Sequence, residues 1–201
     1  MAYADFTVED AADRLGVTTF PGLLFPNIQP APVPPWLAAQ LARNDELALL
    51  NEKSRSESIV YPVLSAVREL VPEPCAVYSG YRMDVDWDRG LVGECDFLIA
   101  LAPPVPPLRP PIATVVEAKR GEIELSYGQC IAQMVGAQRF NERHGQPDRP
   151  MYGCITSADA WLFLRLNGSQ VTVDRQRRFL NDLGTLLGIF LHIADEFRPR
   201  G

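Results

Sequence analysis

The chain has 201 residues, 47% of them hydrophobic, which fits one compact domain with a sizeable buried core, and a second independent domain is not expected. Its net charge of −6 at pH 7 excludes a broadly basic protein that coats nucleic acid. The charge is uneven, however: residues 1–100 carry 7 basic and 15 acidic side chains and residues 101–201 carry 12 and 10, so a polyanion contact is expected mainly in the second half.

In chain order, TVEDAADRLG reads as a first helix. The proline-rich FPNIQPAPVPP that follows excludes regular helix or central strand and reads as an arm laid over the domain. PWLAAQLARN is a short helix with Pro35 in its first turn. In SRSESIVYPVLSAVREL, Val60, Val63, Leu64 and Val67 repeat with the period of an amphipathic helix, which Pro62 should kink or begin. CAVYSGYRMDV and LVGECDFLIALA, joined by a DWDRG turn, predict an antiparallel hairpin. PPVPPLRPP contains a P-x-x-P-x-R ligand pattern, read here as a stiff connector between strands. IATVVEAK has the β-branched run of a strand buried on both faces. Leu125 to Arg143 predicts a helix closed by Gly145. MYGCITS, AWLFLRL and VTVD predict further strands, and RQRRFLNDLGTLLGIFLHIADEF a C-terminal helix. This order predicts an α/β (α+β) fold with a mixed sheet and helices on its faces.

The four cysteines form no C-x-x-C pair and lie mostly in apolar runs, so they are expected to be buried and reduced. No window approaches the roughly 18 apolar residues of a membrane span, and MAYADFTVED lacks the basic and apolar character of a secretory signal; no membrane partner and a cytoplasmic setting are expected. Phosphate-cradling glycine loops, serine-hydrolase elbows and H-E-x-x-H are missing from the sequence, and His144 and His192 read as capping or packed residues.

The chemistry concentrates around EAK. Side chains alternate along a strand, so Glu117 and Lys119 share a face. Taken alone, the pair is an ordinary ion pair. Its weight rises because Lys53 and Lys119 are the only lysines among 19 basic residues, and because Asp96 in GECDFLIA opens a second buried strand. If those strands are neighbours, two carboxylates and an ammonium meet: the carboxylates, with water and substrate oxygens, make an oxygen-only site suited to Mg²⁺, and the ammonium could orient or help deprotonate the attacking water and stabilise charge building on phosphorus, as phosphodiester hydrolysis requires. Glu57 has two readings, as the residue answering a Ser54 cap in SRSE or as a further acid at the site. Gln129 and Gln133 share a helix face and could hold a phosphate or a catalytic neighbour.

The ordered set Glu57, Asp96, Glu117-Ala118-Lys119 and Gln129 resembles the PD-(D/E)XK nuclease superfamily, over about residues 52 to 166, and most resembles its small stand-alone microbial members. The resemblance implies a restriction-endonuclease-like αβββαβ core, with residues 1–50 as an arm and 51–201 as the nuclease-like domain. It implies a Mg²⁺ (or Mn²⁺) site made by Asp96, Glu117, the Ala118 carbonyl and Glu57, with Lys119 orienting the attacking water and Gln129 supporting the lysine and a substrate phosphate. Cys95 stands where the motif has proline, and Gln133 where some branches carry tyrosine. The activity implied is a metal-dependent nuclease acting on nucleic acid, DNA foremost, with a homodimer suited to cutting both strands. The alternative is a catalytically silent binding module of a defence or repair complex.

Overall fold

Thr7 caps the first helix, α1 (Val8–Leu15): its hydroxyl accepts the Asp10 N–H at 3.1 Å while the Asp10 carboxylate accepts the Thr7 N–H at 3.1 Å. In this computed structural model, residues 1–46, 51–119, 121–146 and 148–198 are described. β1 (Thr18–Gly22) comes next, a strand absent from the sequence reading. It lies at the sheet edge, where Pro21, with no N–H to contribute, is tolerated. After an irregular stretch, α2 (Pro35–Ala42) starts on its proline as expected.

The helix expected around Glu57 is built in three pieces: α3 (Glu52–Arg55), a π turn (Ser56–Val60) and α4 (Tyr61–Leu70). Val60, Val63, Leu64 and Val67 are all buried, so the apolar stripe is as read. The cap is not. Asn51, not Ser54, caps the helix, its Oδ1 accepting the Ser54 N–H at 2.8 Å while Ser54 Oγ accepts the Asn51 N–H at 3.3 Å. That removes the capping reading of Glu57. Pro62 has no N–H to offer the Ser58 carbonyl one turn earlier, and the Asn44 side chain takes that oxygen instead at 3.0 Å.

β2 (Ala76–Arg82) and β3 (Glu94–Ala100) form the predicted antiparallel hairpin. The proline loop then connects to β4 (Ile112–Ala118), all seven of whose residues are buried. α5 (Tyr127–Arg143), β5 (Met151–Thr156), β6 (Ala160–Asn167) and β7 (Gln170–Asp174) follow close to expectation. The C-terminal helix starts later than predicted. Arg178–Phe179 forms β8, and α6 (Leu183–Glu196) begins only at Asp182, whose carboxylate accepts the Thr185 N–H. The cause is tertiary: β8 takes the edge of β6 at Ala160 and Trp161 that β7 leaves unpaired.

The fold is therefore α/β, with a mixed eight-stranded sheet of order β1-β7-β6-β5-β4-β3-β2 and β8 beside β6. β1 with β7 and β4 with β5 are the parallel pairs; the others are antiparallel. One face packs on α4 and α6 through residues such as Leu64, Phe163 and Phe190. The other packs on α5, with Tyr3, Phe6 and Ala11 from the first 17 residues completing that core. The N-terminal segment thus contributes both core and an edge strand. The boundary expected at residue 50 falls outside the described residues. No helix among the described residues is long and apolar enough to cross a membrane.

Candidate active site

β3 and β4 pair in register from Ile99 opposite Thr114 to Phe97 opposite Val116, and there the ladder ends. One more step would set Asp96 opposite Glu117. Instead β3 continues with β2 as far as Glu94 opposite Arg82, while β4 continues with β5 as far as Ala118 opposite Thr156. The two central strands part at the two acids. Cys95 packs with the α5-side core and Phe97 with the α4-side core, although residues two apart on a regular strand share a face. The strand therefore switches faces at Asp96. Its neighbour in β2 is Gly80, whose φ of 60° suits a residue without Cβ and interrupts the ladder between Ser79 opposite Phe97 and Tyr81 opposite Cys95.

The gap is closed by a side chain. Asp96 Oδ2 accepts the Ala118 N–H at 2.8 Å, in place of a strand carbonyl. Glu117 points to the α5 side and is 1% exposed. Three donors converge on its carboxylate: Gln129 Nε2 on Oε1 at 2.5 Å, Lys119 Nζ on Oε1 at 2.7 Å, and Gln133 Nε2 on Oε2 at 2.7 Å. Gln129 and Gln133 lie one helical turn apart, so a single face of α5 supplies both. Gly153 on β5 lets that helix approach closely, since a Cβ there would lie 2.5 Å from Met134 Sδ and 2.7 Å from Cys130 Sγ. Asp96, Glu117, Lys119 and Gln129 thus lie together, at the parting of β3 and β4 and under the first turn of α5. Gln129 differs in detail: its amide serves Glu117 and reaches Lys119 only through the oxygen they share.

The electrostatics follow from crowding two acids in a sheltered place. Burial, then the Asp96 charge, pushes Glu117 up to about 7, with Lys119 opposing the rise. Asp96 is also raised by burial, against the Ala118 N–H and Lys119, and its carboxyl hydrogen-bonds with Glu117. Burial alone would lower Lys119, but Glu117 and Asp96 outweigh it and hold the lysine above its usual value. Lys119 is thus a fixed ammonium, better suited to donating hydrogen bonds than to removing a proton.

Glu57 stands apart from this cluster. It is paired with Lys53 at 3.9 Å, with both side chains well exposed, and lines the outer wall of a cleft of about 470 Å³ that ends on Asp96 and Ala118. Glu52 lines the same cleft and acts electrostatically on both Asp96 and Lys119, a residue the sequence reading passed over. The signal lay in Asn51: as the cap it sets Glu52 in the first helical turn. His144 Nδ1 is 2.8 Å from the Phe140 carbonyl and His192 is 3.6 Å from Glu196, so neither joins the group. All four cysteines are free and buried, as expected.

No cluster of three or more His, Cys, Asp or Glu side chains that could hold a metal ion is preformed among the described residues. The donor chemistry nonetheless fits a cation that keeps most of its waters. A carboxylate offers about four lone-pair sites, three of which are taken on Glu117, and Asp96 accepts one backbone N–H. Acceptor capacity remains on both, and Mg²⁺ commonly uses one or two protein carboxylates with water. No protein-family model matches the chain, and no curated protein matches it.

Proposed function

We propose that the chain is a divalent-metal-dependent nuclease with a restriction-endonuclease-like PD-(D/E)XK core, hydrolysing phosphodiester bonds of nucleic acid, DNA foremost. The observation that supports this reading is the parting of β3 and β4 at Asp96 and Glu117, with the Lys119 ammonium 2.7 Å from Glu117. Asp96, Glu117 and the Ala118 carbonyl would hold Mg²⁺ or Mn²⁺, with Glu52 and Glu57 facing it from the cleft wall. When bound, the ion polarises a phosphoryl oxygen and lowers the pKa of the attacking water. Lys119 then donates to that water or to a phosphoryl oxygen, stabilising the charge that develops in the transition state. Gln129 and Gln133 fix the Glu117 carboxylate, and the Ala118 N–H fixes Asp96, so neither acid needs to reorient during reaction.

A second reading, a nuclease fold kept for binding without turnover, is favoured by the acidic cleft wall of Glu52, Glu57 and Glu94. Incubation with mixed DNA and RNA substrates under Mg²⁺ titration separates the two. The nuclease reading expects cleavage that EDTA abolishes and that Lys119→Ala lowers by about two to three orders of magnitude. Lack of cleavage by the intact protein, together with no metal binding, would leave only the binding module.

A further inference from the structure

The cleft that ends on Asp96 is built around an aromatic ring as well as around acids. Tyr61, the first residue of α4, lines it and is 46% exposed. The π turn sets it there: the Tyr61 N–H bonds to the Ser56 carbonyl, five residues back instead of four, and both residues face the cleft. Phe97 backs the ring, with centroids 6.3 Å and planes 27° apart, and is itself 3% exposed. Phe97 reaches that position because β3 switches faces at Asp96, the residue before it. The stacked pair therefore adjoins an acid of the site, since consecutive Cα atoms lie about 3.8 Å apart. Ser79 and Gly80 of β2 line the cleft with little side-chain bulk. The charged groups of the lining are of both signs: Glu52, Glu57, Glu94 and Asp96, with Lys53, which pairs with Glu57 at 3.9 Å. Arg55, on the same helix, turns instead to the Ser157 carbonyl and Asp159.

We infer that this cleft is a subsite for one unpaired nucleobase, stacked on Tyr61, of the nucleotide whose phosphate lies at Asp96 and Glu117. The inference deepens the nuclease reading and rests on it for the phosphate. A volume of about 470 Å³ falls within the roughly 300–1,000 Å³ of pockets that hold one small ligand. A base inside a stacked duplex has no ring face to offer, so the base that enters is unpaired. Every base has a π face, so the ring takes any of them and fixes where the strand lies without selecting its sequence. The ring, rather than the charges, carries the affinity: four carboxylates against one ammonium disfavour a second phosphate in the cleft, and the base is the uncharged part of a nucleotide. Tyr61 is thus a positioning residue, which holds the base so that the adjoining phosphodiester meets the two acids.

The test is fluorescence anisotropy in Ca²⁺ with two labelled single strands of equal length, one of thymidine nucleotides and one abasic throughout, alongside cleavage in Mg²⁺. Wild type is expected to bind the base-bearing strand roughly 5-fold more tightly or better. Tyr61→Ala is expected to lose that preference by weakening the base-bearing strand alone, and Tyr61→Phe, which keeps the ring, to retain it. Tyr61→Leu covers Phe97 without offering a flat face and is expected to match Tyr61→Ala; an unchanged thermal transition in this variant guards against a folding defect. Phe179→Ala, at a ring 52% exposed on β8, should leave the preference as in wild type. Equal affinity of wild type for the two strands, or an equal loss for both in Tyr61→Ala, would overturn the subsite, while cleavage in Mg²⁺ would keep the nuclease reading. A preference that depends on Tyr61, without cleavage in Mg²⁺, would keep the base site and overturn the nuclease reading.

Discussion

The two ends of the central sheet put polar groups to opposite uses. At the end where β3 begins and β4 finishes, two acids share a buried space: burial raises the pKa of both, and the Asp96 charge raises Glu117 further. At the far end, where β3 finishes and β4 begins, a cavity of about 400 Å³ is lined by Pro74, Leu101, Pro111, Asn141, Arg149 and Phe197 among others. It is the better-enclosed hollow, and the polar groups of Asn141, Arg149 and Arg198 in its lining are engaged with neighbours. Asn141 accepts the Ile112 N–H and donates to the Ile112 carbonyl, both at 2.8 Å. Arg149 donates to the Glu196 and Arg198 carbonyls, and Arg198 pairs with Glu73 and Asp195. The far end is polar in the service of stability. The near end holds charges that a smaller set of neighbours only partly compensates, an arrangement typical of sites with work to do.

This contrast predicts that substitutions at the two ends separate activity from stability. Lys119→Ala should lower cleavage by about two to three orders of magnitude while leaving the thermal transition within a few degrees of wild type. Asn141→Leu should do the reverse: it strands a buried N–H and carbonyl of β4 and should cost about 2–4 kcal/mol, read as a fall in the urea midpoint, with specific activity of the folded protein unchanged. Loss of activity in Asn141→Leu at full stability would break the comparison.

The near end also carries a pH signature. In the unfolded chain both acids ionise below about pH 5, whereas folded Glu117 keeps its proton up to about 7. Unfolding therefore releases a proton in that window, and stability falls as pH rises from about 5 to about 7. Asp96→Asn keeps an oxygen for the Ala118 N–H and removes the like charge beside Glu117. It should raise stability above pH 7 by about 1–2 kcal/mol, or roughly 3–6 °C in Tm, and change it little at pH 5. Thermal scans at both pH values check this. Removal of the charge at the cleft wall should matter least. Glu52→Gln, at a residue that acts on both Asp96 and Lys119, should reduce cleavage several-fold, and Glu57→Gln, exposed beside Lys53, by less than about 3-fold.

What the sequence disclosed and what it hid have physical reasons. β4 was legible because seven consecutive buried positions leave an unbroken apolar and β-branched run, closed by an acid and a lysine. Asp96 was legible as an acid opening a buried strand. β1 and β8 were not: one is a five-residue edge strand holding a proline, the other a two-residue pairing that exists only because β7 leaves part of β6 uncovered. The Ser54 cap was misplaced because Asn51 and Ser54 are both good capping residues three apart, and only the backbone decides which one leads. The face switch at Asp96 is written in no local pattern. It arises from Gly80 on the neighbouring strand and from the end of the β3–β4 ladder, two long-range events.

Crystals soaked in Mn²⁺ at pH 8 test most directly whether the parting strands hold a metal. An anomalous peak bridging the Asp96 and Glu117 carboxylates, and lost in Asp96→Asn, is the result this account predicts. A fully occupied lattice with no peak there, or a peak confined to another part of the molecule, would contradict it.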